Sequence, residues 1–402
     1  MMLLENFQRL KLDLHKKNLE IEYLRAVAIL MTLLCHFPAV IYSDYFVKLF
    51  LIYSPWTGVD LFFCISGYVI SKSYMDFFDR YRNSCFWESF QVFWLKRAYR
   101  LIPVAWLWLL IHLVLACCFN STHVFGSIYE NIRSMTAVMT FWANLANVKG
   151  ILEPHPVYWS LALEEQFYLI FPLFLFFTVK NARWKILLAG IMVQFFILRL
   201  PKELAWCFRL DAMLWGVLIY LFSQANLYHL FNPTFLKNSF LKKAIIVIFL
   251  LYLLGAIPAQ LTALPIAVGL IAMTSAFLVW LASYQAGYIP FVPILSPIME
   301  WFGARSYSLY LIHMPAYRIT MEAWTRYAHL HHEEISGTYI PALIVTAIFL
   351  TCFLAELSYQ LIEQPFRRHG AKLAKQKLAK MDSKEVKFQL MNELPAMKLD
   401  NV

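Results

Sequence analysis

The sequence predicts an all-α membrane protein: a bundle of about ten transmembrane helices, an interfacial helix near 85–100, and both termini in the cytoplasm. Three observations predict it. Hydrophobic residues make up 60% of the chain and charged ones only 15%, against roughly 25% charged in an average soluble domain. The apolar residues fall in blocks of about 20, the length that crosses a hydrocarbon core of roughly 30 Å. Lys and Arg collect between alternate blocks, on one side.

The blocks place spans near 24–43, 57–76, 101–119, 158–179, 185–200, 206–223, 243–258, 262–283, 306–324 and 339–361. Segment 131–147 is moderately apolar and reads as a short or re-entrant helix. With the N-terminus inside, only five of the 35 Lys and Arg fall in external loops: Lys48, Arg133, Lys149, Lys202 and Arg326. The rest lie within helices or, in most cases, on the cytoplasmic side, which fixes the expected orientation by the positive-inside rule. Residues 1–23 then form a cytoplasmic segment, 24–368 the membrane domain and 369–402 a basic cytoplasmic tail, helical or partly disordered. The first segment carries Arg9, Lys11, Lys16 and Lys17 and runs into the first span without a small-residue cleavage site, so it does not read as a signal peptide. Within 85–100, Phe86, Trp87, Phe90, Phe93 and Trp94 share one helical face, the pattern of a helix lying on the bilayer surface.

The net charge of +10 lies mostly between apolar blocks and does not point to nucleic acid. Seven cysteines show neither metal nor redox spacing. The run His329, His331, His332, Glu333, Glu334 has only loose metal-ligand character, and no metal is expected. Ser66 lacks the preceding glycine of a nucleophile elbow. Asn120-Ser121-Thr122 is a glycosylation sequon by pattern alone.

Ionisable groups within spans are costly and mark function by default. At about 1.5 Å per residue, His36 lies roughly 16 Å beyond Arg25, and Glu164 and Glu165 lie about 9 Å below the external face. The outer half is expected to hold His36, Asp60, Glu164, Glu165, Arg209 and Asp211. The inner half is expected to hold Arg25, Lys72, Lys96, Arg97, Arg100, Ser306 and His313. A basic inner mouth suits a phosphate-bearing donor, because guanidinium forks match phosphate oxygens. A histidine kept neutral by burial can take a proton from a hydroxyl. The pattern therefore suits group transfer across the membrane. Plainer readings stay open: His36 as an interhelical hydrogen-bonding group, Arg97 and Arg100 as topology anchors, Glu164 and Glu165 as partners of Arg209 or Arg199, Asp211 as a partner of Arg209, and His313 before Pro315 as part of a kink. A non-enzymatic transporter of glycan or acyl-group precursors is the rival class.

Several stretches resemble the acyltransferase-3 family. They are Leu24-Arg25-Ala26-Val27-Ala28-Ile29 with His36, Gly58-Val59-Asp60-Leu61-Phe62-Phe63, Phe93-Trp94-Leu95-Lys96-Arg97-Ala98-Tyr99-Arg100, and Trp159-Ser160-Leu161-Ala162-Leu163-Glu164-Glu165-Gln166. Arg209-Leu210-Asp211-Ala212-Met213, Ser306-Tyr307-Ser308-Leu309-Tyr310-Leu311-Ile312-His313 and Glu363-Gln364-Pro365-Phe366-Arg367 complete the order. The family's usual Gly before Leu24 is Tyr23 here, and its usual Asp is Glu22. The resemblance implies an acyl-CoA-dependent O-acyltransferase of the bacterial cytoplasmic membrane, with acetyl-CoA as co-substrate and no permanently bound cofactor. It implies an acceptor hydroxyl on a surface glycan, with a lipopolysaccharide O-antigen sugar favoured by family habit. Other exopolysaccharides or small molecules are the alternatives within the family. Some members carry a fused extracytoplasmic hydrolase-like domain, which this sequence lacks, so a one-component transferase is expected. The resemblance implies catalysis for Arg25 and His36 and donor handling for Arg97 and Arg100; with the polar residues read above, the expected catalytic set is His36, Arg25, Glu164 and Glu165, and the expected acyl-CoA-binding set is Lys96, Arg97, Arg100, Ser306 and His313. Acceptor binding is expected of Asp60, Trp159, Ser160, Arg209 and Asp211, the residues read towards the external side.

Overall fold

In the computed structural model, residues 18–41, 43–200, 203–290 and 292–399 are described. Residues 1–17, Lys202 and the end of the basic tail at 400–402 lie outside the described residues. All regular structure among those described is helical. In chain order the helices are α1 Leu19–His36, α2 Asp44–Ile52, α3 Gly58–Tyr81, α4 Phe86–Cys118, α5 Ile128–Met139, α6 Ala143–Val148, α7 Tyr158–Phe177 and α8 Lys180–Phe195. There follow α9 Asp211–Ser223, α10 Leu227–Leu230, α11 Phe240–Gln260, α12 Ala267–Ser283, α13 Ser296–Ala304, α14 Ser306–Leu330, α15 Ile340–Ser358 and α16 Gln364–Leu399.

Each expected span has a helix, but the count of ten is not reached by length and composition. Six helical segments are long and apolar enough to cross a bilayer, or seven if α2 and the segment 55–81, bent by 65°, form one span. The shortfall has simple causes. Helix α8 has 16 residues and α12 has 17, short of the roughly 20 a straight crossing needs. Helix α14 is long, but it carries His313, Arg318, Glu322 and Arg326. The several apolar helices make this a multi-pass membrane protein.

The interfacial helix is corrected. Residues 86–118 form one continuous helix of 33 residues through Pro103, about 50 Å long. Its aromatic face does not lie on a surface as a unit: Phe93 is buried against Tyr74, Phe78 and Tyr168, whereas Trp87 is exposed. Tyrosines from neighbouring helices donate to carbonyls on both sides of the proline, Tyr307 to Leu101 at 2.7 Å and Tyr158 to Ala105 at 3.3 Å. Such partners let a membrane helix tolerate proline.

Helix α1 starts at Asn18, whose side chain caps the Glu20 and Ile21 amides and also donates to the Ala282 carbonyl at 2.8 Å. Leu24, Ala26, Ala28 and Ile29 are fully buried, and α1 packs against α3, α12, α13 and α14. It is the central helix that carries Arg25 and His36. The tightest packing joins α3 to α9, where Gly67 and Gly216 face each other's backbones. A Cβ at Gly216 would overlap the Cys64 carbonyl oxygen and crowd the Tyr68 amide. Small residues at such crossings let membrane helices approach closely. Gly216→Ala is expected to destabilise the fold by about 1–3 kcal/mol, because only helix separation relieves the overlap. Thermal unfolding in detergent checks this, and an unchanged midpoint would refute it.

Candidate active site

Three arginines, one from α1 and two from α4, converge on a cavity of about 100 Å³. Arg25, Arg97 and Arg100 line it with Ser66, Ser160, Glu164, Tyr168, Ser306 and Tyr307. Arg25 pairs with Glu22 at 2.7 Å. The Arg97 guanidinium lies against the rings of Tyr168, Tyr74 and Phe93 at 5.4–5.8 Å. Its Nε is buried with no hydrogen-bond partner among the described residues. Lys96 lies outside the lining, with its Nζ 5.8 Å from the Tyr74 ring.

Glu164 faces this cavity and not His36. Its Oε1 accepts from Ser66 Oγ at 2.5 Å and from the Tyr168 hydroxyl. Ser66, set aside as a nucleophile, is thus a hydrogen-bonding partner of a carboxylate. Glu165 is buried outside this lining, near Tyr307. Neither glutamate pairs with Arg199 or Arg209, which have other partners.

The second centre is a pair of histidines. His313, expected in the inner half, stands beside His36, with Nε2 of His313 3.3 Å from Nδ1 of His36. The two rings are 5.0 Å apart. Nδ1 of His36 is 3.0 Å from the Thr32 carbonyl, and Nδ1 of His313 is 3.2 Å from the Leu309 carbonyl. Carbonyl oxygens only accept, so both Nδ1 atoms carry hydrogen when the rings are neutral. Nε2 of His313 is then a lone pair directed at the Nδ1–H of His36. The basic nitrogen left over is Nε2 of His36, which has no protein hydrogen-bond partner among the described residues. Tyr310 links the two centres. It lines the cavity, packs on His313 at 5.9 Å, and bonds to Ser160 Oγ at 2.6 Å and the Val157 carbonyl at 2.8 Å.

The residues assigned to the acceptor split. Ser160 reaches the cavity. Asp60, Arg209 and Asp211 are almost fully buried. Arg209 lies 3.3 Å from Asp60, and Arg199 lies 2.9 Å from Asp211, so Asp211 is not the partner of Arg209. The Arg209 guanidinium is boxed by the rings of Trp206, Trp159 and Trp56 at 3.9, 4.7 and 4.9 Å. Sequence reasoning missed Trp56 and Trp206, since exposed and cage-forming tryptophans look alike in one dimension.

A further polar cluster was also missed. Arg318 bonds Nε2 of His112 at 2.7 Å, His112 bonds Asn131 at 2.8 Å, and His155 bonds Ser134 at 2.6 Å. Its signal was available, for His112 and Arg318 are ionisable groups inside helices that cross apolar blocks. In the sequon, both Asn120 side-chain atoms are bonded within their own loop, and the Ser121 and Thr122 amides and hydroxyls donate to the buried Glu322 carboxylate. Among the described residues, no three His, Cys, Asp or Glu side chains group as a metal site.

Comparison with known proteins adds the following. The profile of the acyltransferase-3 family, described as an acyltransferase domain, matches residues 18–356. The chain is 26% identical over 341 residues to the O-acetyltransferase OatA of Staphylococcus aureus, covering 78% of this chain and 53% of that protein. It is 25% identical over 336 residues to the putative peptidoglycan O-acetyltransferase YrhL of Bacillus subtilis, covering 78% and 50%. It is 25% identical over 350 residues to the peptidoglycan O-acetyltransferase OatA of Listeria monocytogenes, covering 78% and 51%. The chain thus spans about half the length of these curated relatives. No solved structure matches it. The seven ordered motifs and a profile match running through nearly all the helices agree, and the chain belongs to the acyltransferase-3 family.

Proposed function

We propose that this protein is an O-acyltransferase that moves an acyl group, acetyl in the simplest case, from cytosolic acyl-CoA to a hydroxyl of a surface glycan. The observation that carries this reading is a buried histidine pair whose His36 Nε2 has no protein hydrogen-bond partner among the described residues, linked through His313 and Tyr310 to a cavity walled by three arginines. Both termini are cytoplasmic in this reading, which puts the arginines on the donor side. The phosphates of the donor lie by Lys96, Arg97 and Arg100, and the pantetheine arm passes Arg25 towards Tyr310. His313 joins His36 in the chemistry and leaves the donor mouth to the arginines and Ser306. Arg209 and Asp60 shape the wall behind Trp159 and do not contact the acceptor.

In the chemical step, Nε2 of His36 takes the proton of the acceptor hydroxyl as its oxygen attacks the thioester carbonyl. The tetrahedral intermediate collapses, the C–S bond breaks, and the CoA thiolate recovers the proton from His36. The ester forms with no net gain or loss of protons. The His36 imidazolium holds two N–H groups, and its Nδ1–H is already bonded to Thr32 and His313.

The acceptor admits two readings. Family habit favours an O-antigen sugar, and the relatives' names give peptidoglycan. The test incubates purified protein in bilayers with labelled acetyl-CoA and each glycan. Label is expected as ester on one of them. Glycan moved across the bilayer without label would instead identify a transporter.

A further inference from the structure

Helix α15 does not end at Ser358. It passes through a π-turn, Tyr359–Glu363, into α16. Such turns insert an extra residue into a helix and recur at functional sites. Here the turn brings Glu363 inward. Glu363 is buried and accepts from Ser308 Oγ at 2.6 Å. Its charged neighbours are Arg100, Arg367 and Arg25, which belong to three different helices.

Arg367 follows Glu363 by one turn. Its strongest electrostatic neighbour is Arg100, a like charge, ahead of Glu363. Among the described residues neither arginine lies within ion-pair distance of a carboxylate. Arg100, which lines the cavity, and the exposed Arg367 are thus electrostatic neighbours of each other and of the buried Glu363 with no ion pair made, an arrangement that an anion would relieve.

The placement is built and not incidental. The Tyr99 ring packs on Phe366 and His369 at 6.4 and 5.4 Å, and Gly370 leaves room for it. Beyond, α16 runs along the first half of α4. A small core of Tyr81, Cys85, Val92, Ala374 and Met381 and the bonds Lys377 to Gln91 and Lys384 to Glu88 hold it there. The same stretch of α4 leads to Arg97 and Arg100.

We infer that Arg367 and Arg100 form a phosphate-binding fork at the mouth of the arginine cavity, and that α16 is the element that delivers its second prong. Paired planar guanidiniums suit phosphate oxygens better than single ammonium groups. The ligand is a phosphate of the acyl donor. This rests on the acyl-CoA reading above.

The test measures binding and KM with acetyl-CoA, 3′-dephospho-acetyl-CoA and S-acetylpantetheine, in nanodiscs of zwitterionic lipid. Arg367→Gln is expected to weaken acetyl-CoA about tenfold, the loss of one charge-assisted bond. It should leave S-acetylpantetheine, which has no phosphate, unchanged. Arg368→Gln is the control, since Arg368, exposed like Arg367, bonds Gln364 of its own helix and does not neighbour Arg100 or Glu363. Equal weakening of all three donors, or none, would overturn the inference. An effect of Arg367→Gln that appears only when anionic lipid is added would assign the fork to a headgroup and overturn it too. Wild-type protein that ignores acetyl-CoA removes the donor reading, and the inference with it. Wild-type protein that binds acetyl-CoA while Arg367→Gln binds it equally removes the inference alone.

Discussion

His36→Ala is expected to lower acyl transfer by about 10²–10⁴-fold, the range for removing a positioned general base, while the protein still inserts and remains monodisperse. The ring's hydrogen bonds among the described residues are to Thr32 and His313, so its loss strands no buried carboxylate. Alanine is the best helix former, so α1 itself is not weakened. His313 is a positioning residue in this scheme, and its variants separate chemistry from packing. His313→Ala should lower kcat with donor KM unchanged. His313→Gln, whose amide oxygen can still accept from Nδ1 of His36, should restore part of it. Single-turnover assays with labelled donor give both numbers. Near-normal transfer by His36→Ala would end the general-base reading.

Arg209→Gln should be the most damaging substitution for stability. It removes the cation from a box of three tryptophans and leaves Asp60 buried without its charge partner. Breaking one side of a buried ion pair costs about 3–5 kcal/mol, and losing a desolvated cation–π contact adds about 2 kcal/mol. Little folded protein should survive detergent extraction. The double variant Asp60→Asn with Arg209→Gln removes the stranded charge and should recover folded yield. Thermal melts of the extracted proteins decide it, and an Arg209→Gln midpoint equal to wild type would sink the argument.

Sequence reading reached the helices and the chemically important residue types but not their neighbours. Apolar block length fixes a helix, and motif order fixes the family, so both were legible. Depth was not. Counting rise along a helix gives depth only if the helix starts at the membrane surface. Helix α7 follows a loop packed into the protein, with Leu152, His155, Val157 and Tyr158 almost inaccessible, so its starting level is set by tertiary packing that the sequence does not record. Counting from sequence alone did not bring Glu164 to the cavity it shares with Arg25, Arg97 and Arg100. Helix α14 likewise begins inside, at the buried Ser306, which is why His313 meets His36. Facing direction was also hidden. Glu164 and Glu165 are adjacent in sequence and point to different surroundings, a 100° difference that hydropathy does not record. The continuity of α4 through Pro103 depends on tyrosines from two other helices, which no local rule could supply.

The two histidines are 277 positions apart in the chain. At synthesis rates of 5–20 residues per second, His36 is made about 14–55 s before His313. During that interval its Nδ1–H has a backbone carbonyl but no imidazole to lean on. In the proposed mechanism the proton-accepting pair is therefore complete only once α14 has been made, long after α1 and α4 have brought their arginines together.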